Sequence, residues 1–309
     1  MTCYWCQTPL YETYQVTDNV GLVHEYANCP SCGTAQLVKQ TEQAKAYTED
    51  YYGLGENKFK EPINYLFNRS KKSLAKRFVK QIGQDDWVLD VGAGRGDFLL
   101  NLVALGHKNV AGCELGNHPK KAHEIEWFAS GLQSEGIEIR KYGLVTLFHV
   151  FEHLPNPKEQ LSKLTDLVKT GGRLVIAIPN ASSKQFGLYG KDWLHFDPPR
   201  HLHLIPPKHL IKHLENKGFK LVEEKRFSAV YDPLGYVQSI FNRRFSRRDF
   251  FYDMLKTGFW PKGVKEWLWL MFMMLFTTIS SPYFLIISFL DAKRNQSATI
   301  EMVFEKRKD

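Results

Sequence analysis

No Gly-Lys-Ser or Gly-Lys-Thr follows a glycine turn in this chain of 309 residues, which excludes a phosphate-cradling P-loop. Its glycine-rich strand-to-helix turn starts at Gly92 but carries Asp97 where a dinucleotide fingerprint needs glycine, which argues against that ligand class as well. "MTCYWCQTPL" lacks a charged start and an apolar segment, so no secretory leader is expected and the chain is placed in a reducing cytosol. Internal repeats and low-complexity tracts are missing, which removes solenoid and disordered classes. The 43% hydrophobic content is that of a globular chain with one main core. Charge of either sign is not extreme: a net +8 suits an anionic membrane face or nucleic acid about equally and decides nothing alone.

What is present begins with cysteine. Four of five lie in "CYWC" (Cys3, Cys6) and "CPSC" (Cys29, Cys32), two knuckles separated by room for a small β-hairpin. Each pair can bite one ion with two thiolates, and two bites complete a closed tetrahedron, the structural form of zinc site. Two unrelated reduced pairs, or a redox disulfide, are the rival readings. Cys113 stands inside an apolar run and is expected in the core.

After a polar stretch, "INYLFNRSKKSLAKRFVKQIG" carries a helical period. From Trp87 strand-like and helical runs alternate through "WVLDV", "FLLNLVAL", "NVAGCEL", "HPKKAHEIEWFASG", "IEIR", "LVTLFHV", "PKEQLSKLTDLVKT", "RLVIAIP", "PPKHLIKHLENKG" and "FKLVEEKRFS". Such alternation predicts an α/β fold with a Rossmann-like doubly wound sheet of seven strands. The first strand ends in "VLDVGAGRGDFLL", which sets Asp90, Gly92, Gly94 and Gly96 at the carboxyl edge of the sheet, where glycines let backbone approach a ligand. Glu114 ends the second strand, where a carboxylate can accept both ribose hydroxyls of an adenosine.

With these residues the chain resembles the cofactor half of a class I S-adenosylmethionine-dependent methyltransferase. "LVTLFHVFEHLPNPKEQL", "GGRLVIAIPN" and "DWLHFDPPRHLHLIPPKHL" are similar to later blocks of a bacterial subgroup that often carries an N-terminal zinc ribbon. The resemblance covers nearly the whole chain. It implies that Gly92, Gly94 and Gly96 pass the methionine part of S-adenosylmethionine, that Asp90 supports the loop and that Glu114 holds the ribose. The chain reads "KYGLV" where the family often places an acidic residue, which leaves Gln133 or Ser134 for the adenine.

"FHVFEHLPNP" contains His-x-x-Glu-His, formally an inverted zinc-protease signature, but such a protease needs a regular helix there and "LVTLF" reads as a strand. In the methyltransferase frame His149 falls at the end of the fourth strand, beside the glycine loop and counted among cofactor-contacting positions, with Glu152 and His153 on the turn that follows. All three are expected to face the crevice. Two readings stay open: a histidine acts as general base on the acceptor, or His149, Glu152 and His153 ligate a divalent ion, as a related Glu-x-x-Glu-His block holds magnesium in some small-RNA and quinone methyltransferases. "LYGKDWLHFDPPRHLHLIPP" sets Trp193, His195, Asp197, Arg200, His201 and His203 on a loop able to cover the acceptor, with His201 the preferred base from that loop. Its "DPP" follows the fifth strand, unlike the Pro-Pro-Tyr motif of base-modifying methyltransferases, which lowers nucleic acid as acceptor.

"WLWLMFMMLFTTISSPYFLIISFL", residues 267–290, is uncharged and long enough to span a bilayer. The strand-like "ATIEMVFEKRK" after it must return to the sheet, so both ends belong on one side, and Pro282 is expected to split the run into a membrane-surface helical hairpin. Basic residues flank it: "RRFSRR", Lys262, Lys265, Lys293 and Arg294. The predicted organisation is a zinc ribbon over 1–45, linker and helix over 46–86, methyltransferase core over 87–227, a basic and hydrophobic helical insertion over 228–297, and a final strand over 298–309. The expected enzyme is cytoplasmic, peripheral or monotopic on the inner membrane face, and methylates an oxygen of a cell-envelope lipid, lipid-linked sugar or other small molecule. A ribbon-guided nucleic-acid methyltransferase and a non-catalytic docking module are the alternatives.

Overall fold

The apolar runs of the sequence become strands wherever both of their faces are covered. The computed structural model describes residues 1–39, 63–114, 122–257 and 261–308. Three short strands open the chain: β1 (Tyr14–Thr17), β2 (Val23–Asn28) and β3 (Ala35–Leu37). The helix α1 (Ile63–Phe78) then leads into β4 (Val88–Val91), α2 (Asp97–Ala104), β5 (Val110–Cys113), β6 (Glu126–Phe128) and β7 (Tyr142–Phe148). They are followed by α3 (Pro157–Leu167), β8 (Val168–Pro179), α4 (Lys184–Tyr189), β9 (His203–Leu204), α5 (Pro207–Asn216) and β10 (Phe219–Lys225). Last come α6 (Tyr231–Arg244), α7 (Phe250–Thr257), α8 (Val264–Lys293) and β11 (Thr299–Lys306).

Seven strands form the main sheet in the order β10-β11-β8-β7-β4-β5-β6, parallel except for β11, which pairs antiparallel with both neighbours. The predicted doubly wound sheet and the return of the last strand are both present. Every residue of β4 and β5 is buried, because helices cover both faces. On one face Ala75, Phe78, Phe98, Leu99 and Leu102 of α1 and α2 pack on Val88, Val110, Leu144 and Val303. On the other, Leu161, Leu164, Leu210 and Leu214 of α3 and α5 pack on Leu89, Val145, Leu174 and Phe304. Cys113 is fully buried, as expected.

Two expectations fail. The third strand is Glu126–Phe128, inside the run read as a helix, and not "IEIR". Phe128 pairs with β5 and is buried, while "IEIR" has Ile137 buried but Ile139 80% exposed and pairs with no strand among the described residues, so pairing with β5 and not burial alone chose the shorter stretch. The hairpin is also corrected: α8 is one helix of 30 residues that runs through Pro282. Proline removes one N–H and crowds the carbonyl four residues back, and here Thr277, Thr278, Ser280 and Ser281 each donate a hydroxyl to the carbonyl one turn earlier. Leu270 and Met273 before the proline, and Phe284, Ser288 and Asp291 after it, are buried, at spacings that keep one side of the helix on the protein.

The N-terminal strands do not stand apart. They form a second sheet, β1-β2-β3-β9, whose edge strand β9 comes from the segment after the fifth strand of the main sheet.

Candidate functional site

The turn after β4 is built by left-handed backbone. Gly92, Gly94 and Gly96 have φ of +70°, +56° and +74°. A Cβ at Gly92 would lie 2.3 Å from Val150, whereas one at Gly94 would meet nothing within 4 Å among the described residues. The loop is thus closed on the protein side and open on the other, as a turn that receives a ligand must be. Gly94 donates its N–H to the Glu114 carboxylate at 2.7 Å, which brings the two sequence-identified positions together across the mouth of the sheet. Beneath them Asp90 is buried, accepts from the Thr146 hydroxyl at 2.6 Å, and is pushed up to about 7 by burial. Segment 115–121, where part of the region after the second strand falls, lies outside the described residues. Ser134 accepts from the Ser130 N–H and Gln133 accepts from Lys163.

His149 follows the last residue of β7 with φ +56° and forms the exposed front of the block, its side chain 29% accessible. Glu152 sits behind it, 2% exposed, with its Oε1 3.5 Å from His149 Nδ1 and 3.8 Å from His201 Nε2. The three block residues therefore do not share one face: His149 opens outward and Glu152 is buried. Neither Glu152 oxygen has a hydrogen-bond partner among the described residues. Burial by itself would raise this carboxyl, but the histidines around it, His149 first, bring it down to about 2.

The histidine loop is packed inside the protein. Trp193, His195, Arg200, His201 and His203 are all buried. Arg200 binds Asp197 through Nε at 2.9–3.0 Å. His153 Nδ1 donates to the Arg200 carbonyl and His201 Nδ1 to the His195 carbonyl, each at 2.8 Å, which leaves Nε2 of both rings with a lone pair when neutral. His203 donates from Nε2 to the Leu154 carbonyl. The expected trio of ligands changes accordingly: atoms of Glu152, His153 and His201 lie within 4.8 Å of one another, with His149 outside the set. Histidines braced through one nitrogen on a carbonyl are the arrangement metal ligands need.

Sequence reasoning missed Tyr231 and Asp232. The Tyr231 ring lies 5.4 Å from that of His149 and 6.2 Å from that of His195. Asp232 is fully buried, bonded to Thr299 and the Ser228 N–H, and raised by burial to about 7. Both come from the first turn of α6, whose sequence carries no motif; only its insertion beside the strand ends brings it here.

At the N-terminus the four thiols of Cys3, Cys6, Cys29 and Cys32 lie within 4.8 Å of one another, with Cys3–Cys32 at 3.6 Å and Cys6–Cys29 at 3.4 Å. Tetrahedral zinc with Zn–S near 2.3 Å sets sulfurs roughly 3.8 Å apart, so the donor set fits. Burial raises Cys3 to about 12, a cost that an ion at the centre of the four sulfurs would offset.

The titrating groups give a testable pH dependence. Burial lowers His195 to about 3 and His201 and His203 to about 4, so below about 6.5 the unfolded chain takes up protons that the folded chain refuses. That destabilises. Asp90, Asp232 and Asp253 act oppositely, because the folded chain protonates the first two near 7 and the third near 6, and the unfolded chain only near 3.8. The two sets offset each other between pH 7 and 4. Below that, Glu152 and Asp197, both lowered in the folded state, lose their stabilisation. Thermal unfolding should change little from pH 7 to 4 and collapse by pH 3; a steady decline from pH 6.5 would contradict this balance.

A family model described as a methyltransferase domain matches residues 63–224. Among curated proteins, the ubiquinone biosynthesis O-methyltransferases of Salmonella newport (strain SL254) and Citrobacter koseri are each 28% identical over 117 residues, 35% of this chain and 45% of theirs. The match thus spans less than half the length of those relatives. Similar solved structures include the Burkholderia thailandensis 1,6-didemethyltoxoflavin-N1-methyltransferase, at 12% identity and a TM-score of 0.48 over 92% of this chain and 96% of that one. Another is the magnesium protoporphyrin IX methyltransferase of Synechocystis PCC 6803, at 18% identity and a TM-score of 0.47 over 60% and 93%.

Proposed function

Because this chain belongs to the methyltransferase-domain family, we propose that it transfers a methyl group from S-adenosylmethionine to an oxygen of a lipid, lipid-linked sugar or other small molecule at a membrane. The observation that carries this reading is the left-handed Gly94, whose N–H bonds the Glu114 carboxylate and whose Cβ position meets no described residue. These residues fit the cofactor: a left-handed glycine turn with free space above it, and a carboxylate at the end of β5 suited to ribose hydroxyls. S-adenosylmethionine, when bound, supplies a methyl group activated by its sulfonium.

The chain supplies the rest. Glu152, ionised behind His149, favours the proton on Nδ1 and leaves the Nε2 lone pair for the cleft. His149 then takes the acceptor's hydroxyl proton as the oxygen bonds to the methyl carbon, and Glu152 stabilises the imidazolium. His201 and His153 lie behind Glu152, with His201 Nε2 3.8 Å from its Oε1, and their burial supports a place in the packing around Glu152 and not direct contact with the acceptor. A second reading is favoured by the unpartnered Glu152 oxygens: a divalent ion held by Glu152, His153 and His201. At the N-terminus the four cysteines hold structural zinc.

The membrane part rests on α8. Opposite its packed stripe, Leu268, Leu275, Ile279 and Ile286 are 59–70% exposed and fall on one line along the helix. The 18-residue window has a mean hydropathy of 1.8. Lys262, Lys265, Lys293 and Arg294 flank it, all exposed. Because the opposite stripe is packed on α6 and α7 through Phe241, Phe250 and Tyr236, the helix is suited to lie in an anionic leaflet and not to cross it. This corresponds to a cytoplasmic enzyme on the inner membrane face. The test is to follow labelled methyl from S-adenosylmethionine into cell extract, together with flotation on anionic vesicles of wild type and of Leu268→Glu/Leu275→Glu/Ile279→Glu. Organic-phase label, and at least tenfold weaker flotation of the variant at unchanged melting temperature, are expected. Label only in water-soluble sugar would keep the enzyme and reject the lipid; label in nucleic acid would favour the ribbon-guided alternative. No label would favour a docking module.

A further inference from the structure

The histidine loop is built into the N-terminal cysteine module. Cys32 is followed within three residues by β3, and β3 pairs with β9 through Ala35 with Leu204 and Gln36 with His203. One peptide unit joins the two parts. The carbonyl of His201 accepts the Tyr26 hydroxyl at 3.1 Å, and the N–H of Leu202 in the same unit donates to the Glu152 carbonyl at 2.9 Å. The Leu202 carbonyl in turn accepts the N–H of Leu37 at 2.9 Å. Tyr26 is 1% exposed, and its ring meets Phe196 edge-on at 4.7 Å, so its hydroxyl has little freedom to move. His209 completes the link by donating to the Cys32 carbonyl at 2.9 Å.

A module that only docked elsewhere on the protein would not need its strand to end on residues 203–204. Here the chain from the cysteine knuckle to the Glu152 backbone passes through Tyr26, Leu37, His201 and Leu202 without a solvent gap. We propose that the N-terminal module is a positioning element of the active site: zinc at the four cysteines holds β3 and Tyr26, which set where His201 and the Glu152 turn stand. This rests on the reading of His149 and Glu152 as the reacting end of the site. Reacting groups lose on the order of 100-fold for a displacement of about 1 Å, so a small relaxation of the loop is enough to show in turnover. Cofactor binding, made by the glycine turn and Glu114 on other strands, stays outside this chain of contacts.

The deciding variant is Tyr26→Phe in the full-length, zinc-loaded chain, with Tyr14→Phe as control, since the Tyr14 hydroxyl bonds Asn28 within the same module and not the loop. Tyr26→Phe is expected to lower kcat about tenfold, with the KM and Kd for S-adenosylmethionine unchanged within twofold; Tyr14→Phe is expected to do neither. A second measurement needs no turnover: in the histidine-ring nitrogen NMR spectrum without cofactor or acceptor, the His201 and His153 signals should move in Tyr26→Phe and on zinc extraction, and return when zinc is restored. Unchanged His201 signals in Tyr26→Phe, or equal kcat for the two variants, would overturn the proposal. If no acceptor is methylated by any form, the methyltransferase reading fails by that result, and the NMR comparison still decides the clamp.

Discussion

Replacing His149 by asparagine should lower kcat by about 10²–10⁴ while the Kd for S-adenosylmethionine stays within threefold. Asparagine is the informative choice because His149 sits at φ +56°, a region asparagine tolerates, so the variant removes the base without adding backbone strain. Glu152→Gln should give a similar loss with correct folding below it, since the amide keeps the shape and removes the charge that orients His149. Single-turnover rates at saturating cofactor check both. The metal reading predicts differently: with the cysteine zinc in place, turnover would depend on added manganese far more than on magnesium, because two imidazoles and a carboxylate suit the softer ion, and His149→Asn would be mild, because His149 lies outside the trio of possible ligands.

Gly94→Trp should weaken S-adenosylmethionine binding at least 100-fold, yet lower the melting temperature by only a few degrees. The left-handed φ of +56° costs a non-glycine residue about 1–2 kcal/mol, but the new side chain meets no described residue within 4 Å of its Cβ. Gly92→Ala should do the reverse. Its Cβ would stand 2.3 Å from Val150, next to His149, so a single methyl group must displace the turn that carries the base and destabilise the protein. Isothermal titration with the cofactor, paired with thermal melts of both variants, separates the effects. Intact binding by Gly94→Trp would remove the glycine turn from the cofactor site.

Much of this architecture was legible because burial on both faces leaves a plain mark: "VLDV", "VAGC" and "LVTLF" are strands in the structure, and D-x-G-x-G-x-G lies between a strand and a helix as read. Glu114 and Gly94 were found from spacing and meet at 2.7 Å. The cysteine knuckles were equally direct. Other features were hidden for stated reasons. "EWF" is three residues long and loses to the louder "IEIR" when only pattern is weighed; the difference is that Phe128 has β5 to pack against. Pro282 predicts a break, but residues buried on either side of it, Leu270 and Met273 before and Phe284, Ser288 and Asp291 after, hold one side of a single helix on the protein. His201 looked like a base because a histidine on a loop is usually accessible, and this loop is buried between the cysteine module and α6.

Residue type and local spacing by themselves determined the layered α/β fold, the glycine turn, the carboxylate that follows β5 and the four-thiol cluster, since each depends on neighbours within a few positions. The tertiary structure decided which histidine faces the cleft, that Tyr231 and Asp232 join it, that α8 shows one apolar face outward, and that Tyr26 reaches His201. Those outcomes depend on which segments distant in the chain compete for the same buried volume and hydrogen bonds, and no local pattern encodes that competition.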